Sequence, residues 1–153
     1  MSQSEPIHHL APASELLAGT RGDFYAPARL PEDGFVHCSG SPAQTLAVAD
    51  DYFASLREPL VVLVIAPDLL GAPLRYEAPA PLAGGGRAHL AGGARFPHVY
   101  GPIERRAIVA AGVLERRDAR YAWPARLEPL AAVLARLRDP RLRDHSSGTP
   151  KRS

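Results

Sequence analysis

Apolar and polar positions follow two different periods along the chain, and each change of period predicts an element. Leu60–Ala66, LVVLVIA, is continuously apolar and rich in β-branched residues, which predicts a strand buried on both faces. Arg106–Glu115, RAIVAAGVLE, predicts another buried strand, and PIHHLA (Pro6–Ala11), FVHC, LRYE (Leu74–Glu77) and RFPHVYGPI predict shorter ones. Three-and-four spacing takes over in SPAQTLAVADDYFASL (Ser41–Leu56), where Leu46, Ala49, Tyr52, Phe53 and Leu56 share a face. Ser41 stands there as N-cap, Pro42 as first helical residue and Gln44 three residues after the cap, as in a capping box. Ala125–Arg138 repeats the spacing with Leu127, Leu130, Val133, Leu134 and Leu137. Pro12–Gly19 predicts a brief helix capped by Ser14 and stopped by Gly19. Residues 20–33 predict a loop, and PDLLGAP a turn or helical half-turn. Residues 78–95, Pro, Ala and Gly without period, predict a mobile loop, and the tail from about Pro140 a disordered one. Short strands with few helices give an α+β class with a mainly antiparallel sheet. The expected organisation is one domain over 1–124, an amphipathic helix over 125–139 packed on it, and the tail 140–153.

Composition adds boundaries. A chain of 153 residues, 46% apolar and 22% charged, suits one soluble domain with a real core. It has no apolar run of about 18 residues, and MSQSEPIHHL lacks the basic and apolar regions of a signal peptide. A single cysteine makes no internal disulfide, which agrees with the cytoplasm. The net charge of +2 conceals an asymmetry: residues 1–80 carry 4 basic against 10 acidic side chains, and residues 81–153 carry 14 against 6. A basic half attracts a phosphorylated ligand or nucleic acid, or merely decorates a solvated helix and tail.

The chemistry-bearing residues gather at strand ends, where sheet proteins place binding groups. In GFVHCSG, strand alternation puts Phe35 and His37 on one face and Val36 and Cys38 on the other. A Cys38 buried beside Val36 behaves as a small hydrophobe, which argues against a thiol nucleophile. His8 and His9, as strand neighbours, point to opposite faces, so at most one is expected to face the core or a cleft. No CxxC, HxxxH or HExxH spacing links His9, His37, Cys38 and His98, so no metal site is expected. Ser39 lacks a GxSxG context. Phe96, His98 and Tyr100 share one strand face, preceded by Arg95 and ended by Gly101-Pro102. That face reads equally as a wall for an aromatic or sugar-bearing ligand and as an aromatic core stripe.

IHHLAP, EDGFVHCSGSPAQTLAVADDYF, LVVLVIAPDLLGAPLRYE and FPHVYGPI occur in the order of a bacterial pattern. Over about Ile7 to Leu114 the chain resembles the domain-of-unknown-function family numbered 952, most specifically in the paired GFVHCS and FPHVYGP. It departs in His8, where the family usually has Tyr, in the glycine-rich insertion 83–94, and in the C-terminal helix and tail. The pattern is in turn similar to the RNA 2′-phosphotransferase branch of the ADP-ribosyltransferase superfamily. That resemblance implies a split sheet and NAD, or a related nucleotide, as ligand and substrate, with no metal. On it, His9 hydrogen-bonds the ribose of NAD, His37 packs on the nicotinamide ring, and Ser39 contacts the nicotinamide ribose. No acidic residue stands at the superfamily's third position near FPHVY, and Glu77 is the carboxylate that substitutes or merely pairs with an arginine. The resemblance thus implies His37, Glu77 and His98 as catalytic and His9, His37, Ser39, Phe96, His98 and Tyr100 as ligand-binding. The expected activity is transfer or hydrolysis of ADP-ribose. The alternatives are a nucleotide-binding module that has lost transfer chemistry, and an RNA- or protein-interaction domain using Arg105, Arg106, Arg116 and Arg117.

Overall fold

A computed structural model describes residues 4–79, 95–139 and 141. The glycine-rich insertion 83–94 lies outside the described residues, as does the tail except Arg141. Among the described residues the class is α+β, and every strand pairing is antiparallel.

The apolar run expected to be buried on both faces becomes the centre of the molecule. Strand β5 (Leu60–Ile65) lies between β1 (Ile7–Pro12) and β9 (Ile108–Val113), and all six of its residues are buried. Its alternate side chains enter two separate cores. Val61, Leu63 and Ile65 join Ile7, Ala11, Leu16 and Tyr25 on one face, with α1 (Ala13–Gly19) and α4 (Leu130–Arg138). Leu60 and Val62 join Ala49, Leu114 and Tyr121 on the other, beneath α3 (Pro42–Tyr52). Leu130, Val133, Leu134 and Leu137 are all buried, so α4 completes the first core.

Three smaller sheets surround this one. β2 (Thr20–Arg21), β3 (Phe24–Tyr25) and β8 (Ile103–Glu104) form one. β4 (Val36–His37), β7 (Phe96–Val99) and β6 (Leu74–Glu77) form the second, in that order. β10 (Glu115–Arg117) and β11 (Arg120–Ala122) form a hairpin.

Several local expectations shift. Ser14 does not cap α1: its N–H and hydroxyl both donate to the Glu58 carboxylate, and Pro12 takes the cap position. Ser41 does cap α3, accepting from the Gln44 N–H. The Gln44 side chain, however, reaches back to the Gly40 N–H, one residue earlier than a capping box requires. α3 ends at Tyr52, short of Leu56, and α4 starts at Leu130, leaving Leu127 exposed. β9 is an edge strand whose Val109 faces solvent, so it is not buried throughout. The segment expected as loop holds the β2–β3 hairpin and α2 (Leu30–Asp33). Gly34 ends α2 in the left-handed conformation (φ 83°), which a side chain adopts only with strain.

The first core makes a stability prediction. Leu134→Ala should lower the unfolding free energy by about 2–5 kcal/mol, read as an earlier urea midpoint at unchanged slope. An unchanged midpoint would mean that α4 is peripheral to the fold.

Candidate functional site

The site begins where two sheets join and then part. His8 and Ser39 exchange both backbone hydrogen bonds, N–H to O at 2.8 and 2.7 Å, and so tie β1 to the segment just past β4. One residue away, the Cys38 N–H donates instead to Pro97 O on β7. From that change of partner β1 and β4 diverge. His9 bridges the widening gap with its side chain, its Nδ1 lying 2.7 Å from His37 O. A carbonyl only accepts, so Nδ1 carries the proton and Nε2 accepts from the Tyr25 hydroxyl at 3.2 Å. Burial holds the His9 pKa down to about 4 and pushes that of the Tyr25 phenol up, so both stay neutral and the chain of bonds keeps one direction.

The gap opens into a cleft of about 260 Å³. His9, His37, Ser39, Phe96 and His98 line it. Glu77 and Tyr100 do not; they stand behind the wall. Glu77 Oε1 accepts from Tyr100 Oη at 2.5 Å and lies 2.7 Å from His98 Nδ1. These two hydrogen bonds, Tyr100's first, hold the Glu77 carboxyl below the usual range, and the bond to Glu77 in turn pushes the Tyr100 phenol up. Phe96, His98 and Tyr100 thus share a face, and it is both things at once: a cleft wall at Phe96 and His98, and a bonded cluster at Tyr100. Phe35 binds the cluster together, stacking on His98 at 4.1 Å and contacting His37 and Tyr100 at 4.7 and 5.2 Å.

His37 stands directly across from His98 in the β4–β7 register. Its Nε2 lies 3.0 Å from Asp33 Oδ2, an acidic partner delivered by the left-handed turn at Gly34. Burial lowers the His37 pKa; the Asp33 hydrogen bond and charge oppose that, while His98 and Arg29 add to it. Asp33 read in the sequence only as part of a turn signal, because nothing in its spacing to His37 shows that the chain folds back between them. Glu15, Arg29 and Val48 also line the cleft and carried no signal of their own. Tyr52 and Phe53 line it too, and the helical spacing had grouped them only as an apolar face.

Both neighbouring histidines of β1 are buried, contrary to the expectation that only one would be. Alternation does send them to opposite faces, but each face here has its own core. His9 meets Tyr25, whereas His8 packs edge-on against Trp123 at 5.4 Å. Burial also lowers the His8 pKa, and its Nδ1 has no hydrogen-bond partner. Cys38 points into the first core, where burial pushes its thiol pKa up and removes it as a nucleophile. Among the described residues no cluster of His, Cys, Asp and Glu is placed to hold a metal ion, and no helix is long and apolar enough to cross a membrane.

Residues 10–111 match the family described as Protein of unknown function (DUF952). The chain belongs to the DUF952 family. The DUF952 match runs from Leu10 in β1 to Ala111 in β9, so it contains every cleft residue except His8 and His9. The crystal structure of protein CC0527 from Caulobacter crescentus is similar, with 26% identity and a TM-score of 0.60 over 85% of this chain and 98% of that one. The solution NMR structure of CC0527 gives 28% identity and a TM-score of 0.56 over 76% and 90%. No curated protein matches the chain.

The neutral, buried His9 makes stability depend on pH. Its folded pKa of about 4 lies below the ordinary 6.5, so the unfolded chain binds this proton first as pH falls. The thermal midpoint should therefore drop between pH 6.5 and 4, with His9 contributing on the order of 3 kcal/mol. His9→Gln, which keeps a donor for His37 O, should flatten that slope; identical slopes would assign the effect to other groups.

Proposed function

We propose that the cleft binds NAD or a related nucleotide, and that the chain is an ADP-ribosyltransferase-like domain that transfers or hydrolyses ADP-ribose. One observation carries this reading: a cleft opens where β1 and β4 part, and His9, His37, Ser39, Phe96 and His98 meet on its walls. Aromatic rings suit a flat nicotinamide, and a volume just under the ~300–1,000 Å³ typical of small-molecule sites suits one half of a dinucleotide. Arg29, on the cleft wall and largely exposed, is placed for a phosphate.

In this reading the bond from ribose C1′ to the nicotinamide nitrogen breaks, and water or an acceptor hydroxyl attacks C1′. His37, polarised by Asp33, takes the proton of the attacking group. The ring face of His9 offers contact, but a ribose hydroxyl bonds its Nε2 only in exchange for Tyr25. The oxocarbenium-like transition state asks for a carboxylate. Those lining the cleft are Glu15 and Asp33, so they, rather than Glu77, stand nearest the reacting sugar.

A second reading, nucleotide binding without transfer, is favoured by the position of Glu77, whose carboxylate serves His98 and Tyr100 outside the cleft. An RNA-contacting surface draws less support. Arg116 donates to Tyr121 Oη and Ala54 O, Arg117 pairs with Glu115, and Arg105 donates to Gly22 O.

Calorimetry with NAD, together with mass spectrometry for released nicotinamide, tests the proposal. Heat of binding and nicotinamide are expected from the wild type, with nicotinamide lost in His37→Ala. Bound NAD recovered intact selects the binding module, and absence of both signals overturns the nucleotide reading.

A further inference from the structure

We propose that His37 and His98 form a general base and general acid pair that hydrolyses a small nucleoside phosphodiester. This activity shares the cleft with the NAD reading but does not depend on it.

The β4–β7 register sets the two imidazoles opposite each other on one face, with ring centroids 5.8 Å apart, and both line the cleft. Each is held through one nitrogen by its own carboxylate: His37 Nε2 by Asp33 at 3.0 Å and His98 Nδ1 by Glu77 at 2.7 Å. The carboxylates arrive from different sides, since α2 leads into β4 while β6 lies beyond β7. A carboxylate bonded to one ring nitrogen fixes the ring and directs proton exchange to the other, here Nδ1 of His37 and Nε2 of His98.

Two hydrogen bonds of ~2.6–3.2 Å each span such a pair through one compact group, which selects a tetrahedral phosphoryl centre over an extended one. The chemistry selects it as well. Nicotinamide departs from NAD as a neutral molecule and needs no acid, whereas a ribose alkoxide is a poor leaving group and needs a proton as it goes. A second oriented imidazole is surplus for the first bond and required for the second. Arg29 on the cleft wall supplies a positive charge for the phosphate, and Phe35 and Phe96 supply ring surface for a base.

The step balances. The oxygen of water forms a bond to phosphorus and gives its proton to His37 Nδ1. The bond from phosphorus to the ribose oxygen breaks, and that oxygen takes a proton from His98 Nε2. Solvent then returns both rings to their starting states. His37 faces Asp33 from α2 and Arg29 from the cap just before it, His98 from β7 and His9 from β1. His98 faces Glu77 from β6, with Tyr100, Arg75 and His37 nearby.

The test incubates the full chain with 2′,3′-cyclic AMP and follows the monophosphate product by phosphorus NMR across pH. Ring opening with a bell-shaped profile is expected, falling by ~10²–10⁴-fold in His37→Ala and in His98→Ala. Glu77→Gln and Asp33→Asn keep the histidines and separate catalysis from folding. Loss of the Glu77 charge should move the alkaline limb, which reports the acid, to lower pH, and loss of the Asp33 charge should move the acidic limb the same way. Turnover by a protein that ignores NAD would still support the pair. No turnover by folded wild type, turnover that survives both alanine variants, or limbs that neither charge removal moves would overturn it.

Discussion

The backbone exchange between His8 and Ser39 is the joint on which the site depends. It holds β1 against the segment that follows β4 at one residue pair, and the residue just before Ser39, Cys38, donates to β7 instead. Two sheets tied at a point and separated beyond it must leave a wedge of space. The wedge stays open because a side chain, not a backbone group, spans it. The His9 imidazole reaches His37 O from one side and Tyr25 from the other, with no capacity left over. Removing it would leave a buried carbonyl unpaired, at a cost of ~1–3 kcal/mol. The cleft is therefore a consequence of strand geometry with one imidazole as spacer.

The same histidine pair shows how the two cores cooperate. β5 sends alternate side chains into opposite layers, and β1, its antiparallel partner, does likewise. His9 belongs to the layer completed by α1 and α4, and His8 to the layer under α3 with Trp123. Both histidines remain neutral because each layer excludes water. The β1 histidines at the cleft are thus anchored in two hydrophobic cores, which is how a DUF952 chain with short strands can hold these rings in fixed register.

Much of this fold was legible along the chain. Six continuous apolar residues sufficed to place β5, and Ser41 with Pro42 placed the start of α3. The hairpins β2–β3 and β10–β11 were missed because two- and three-residue strands show no measurable period. α2 was missed for the same reason, at a single turn of helix. Leu127 was assigned to the face of α4 by spacing alone, and the helix simply begins later. The candidate site was half legible. Alternation correctly separated His37 from Cys38 and grouped Phe96, His98 and Tyr100. It was silent on Asp33, since a left-handed glycine turn brings that carboxylate back to His37 and periodicity does not register turns.

What the sequence alone determined is the set of faces: which residues of each strand point together, and that the thiol is buried. These follow from local periodicity, because successive side chains on a strand must alternate. Tertiary structure decided the partners. Whether Glu77 stands in the cleft or behind it, whether His9 faces a ligand or a carbonyl, and which carboxylate orients which imidazole all depend on strand order and register. Those are set by packing among segments far apart in the chain, and no local pattern encodes them.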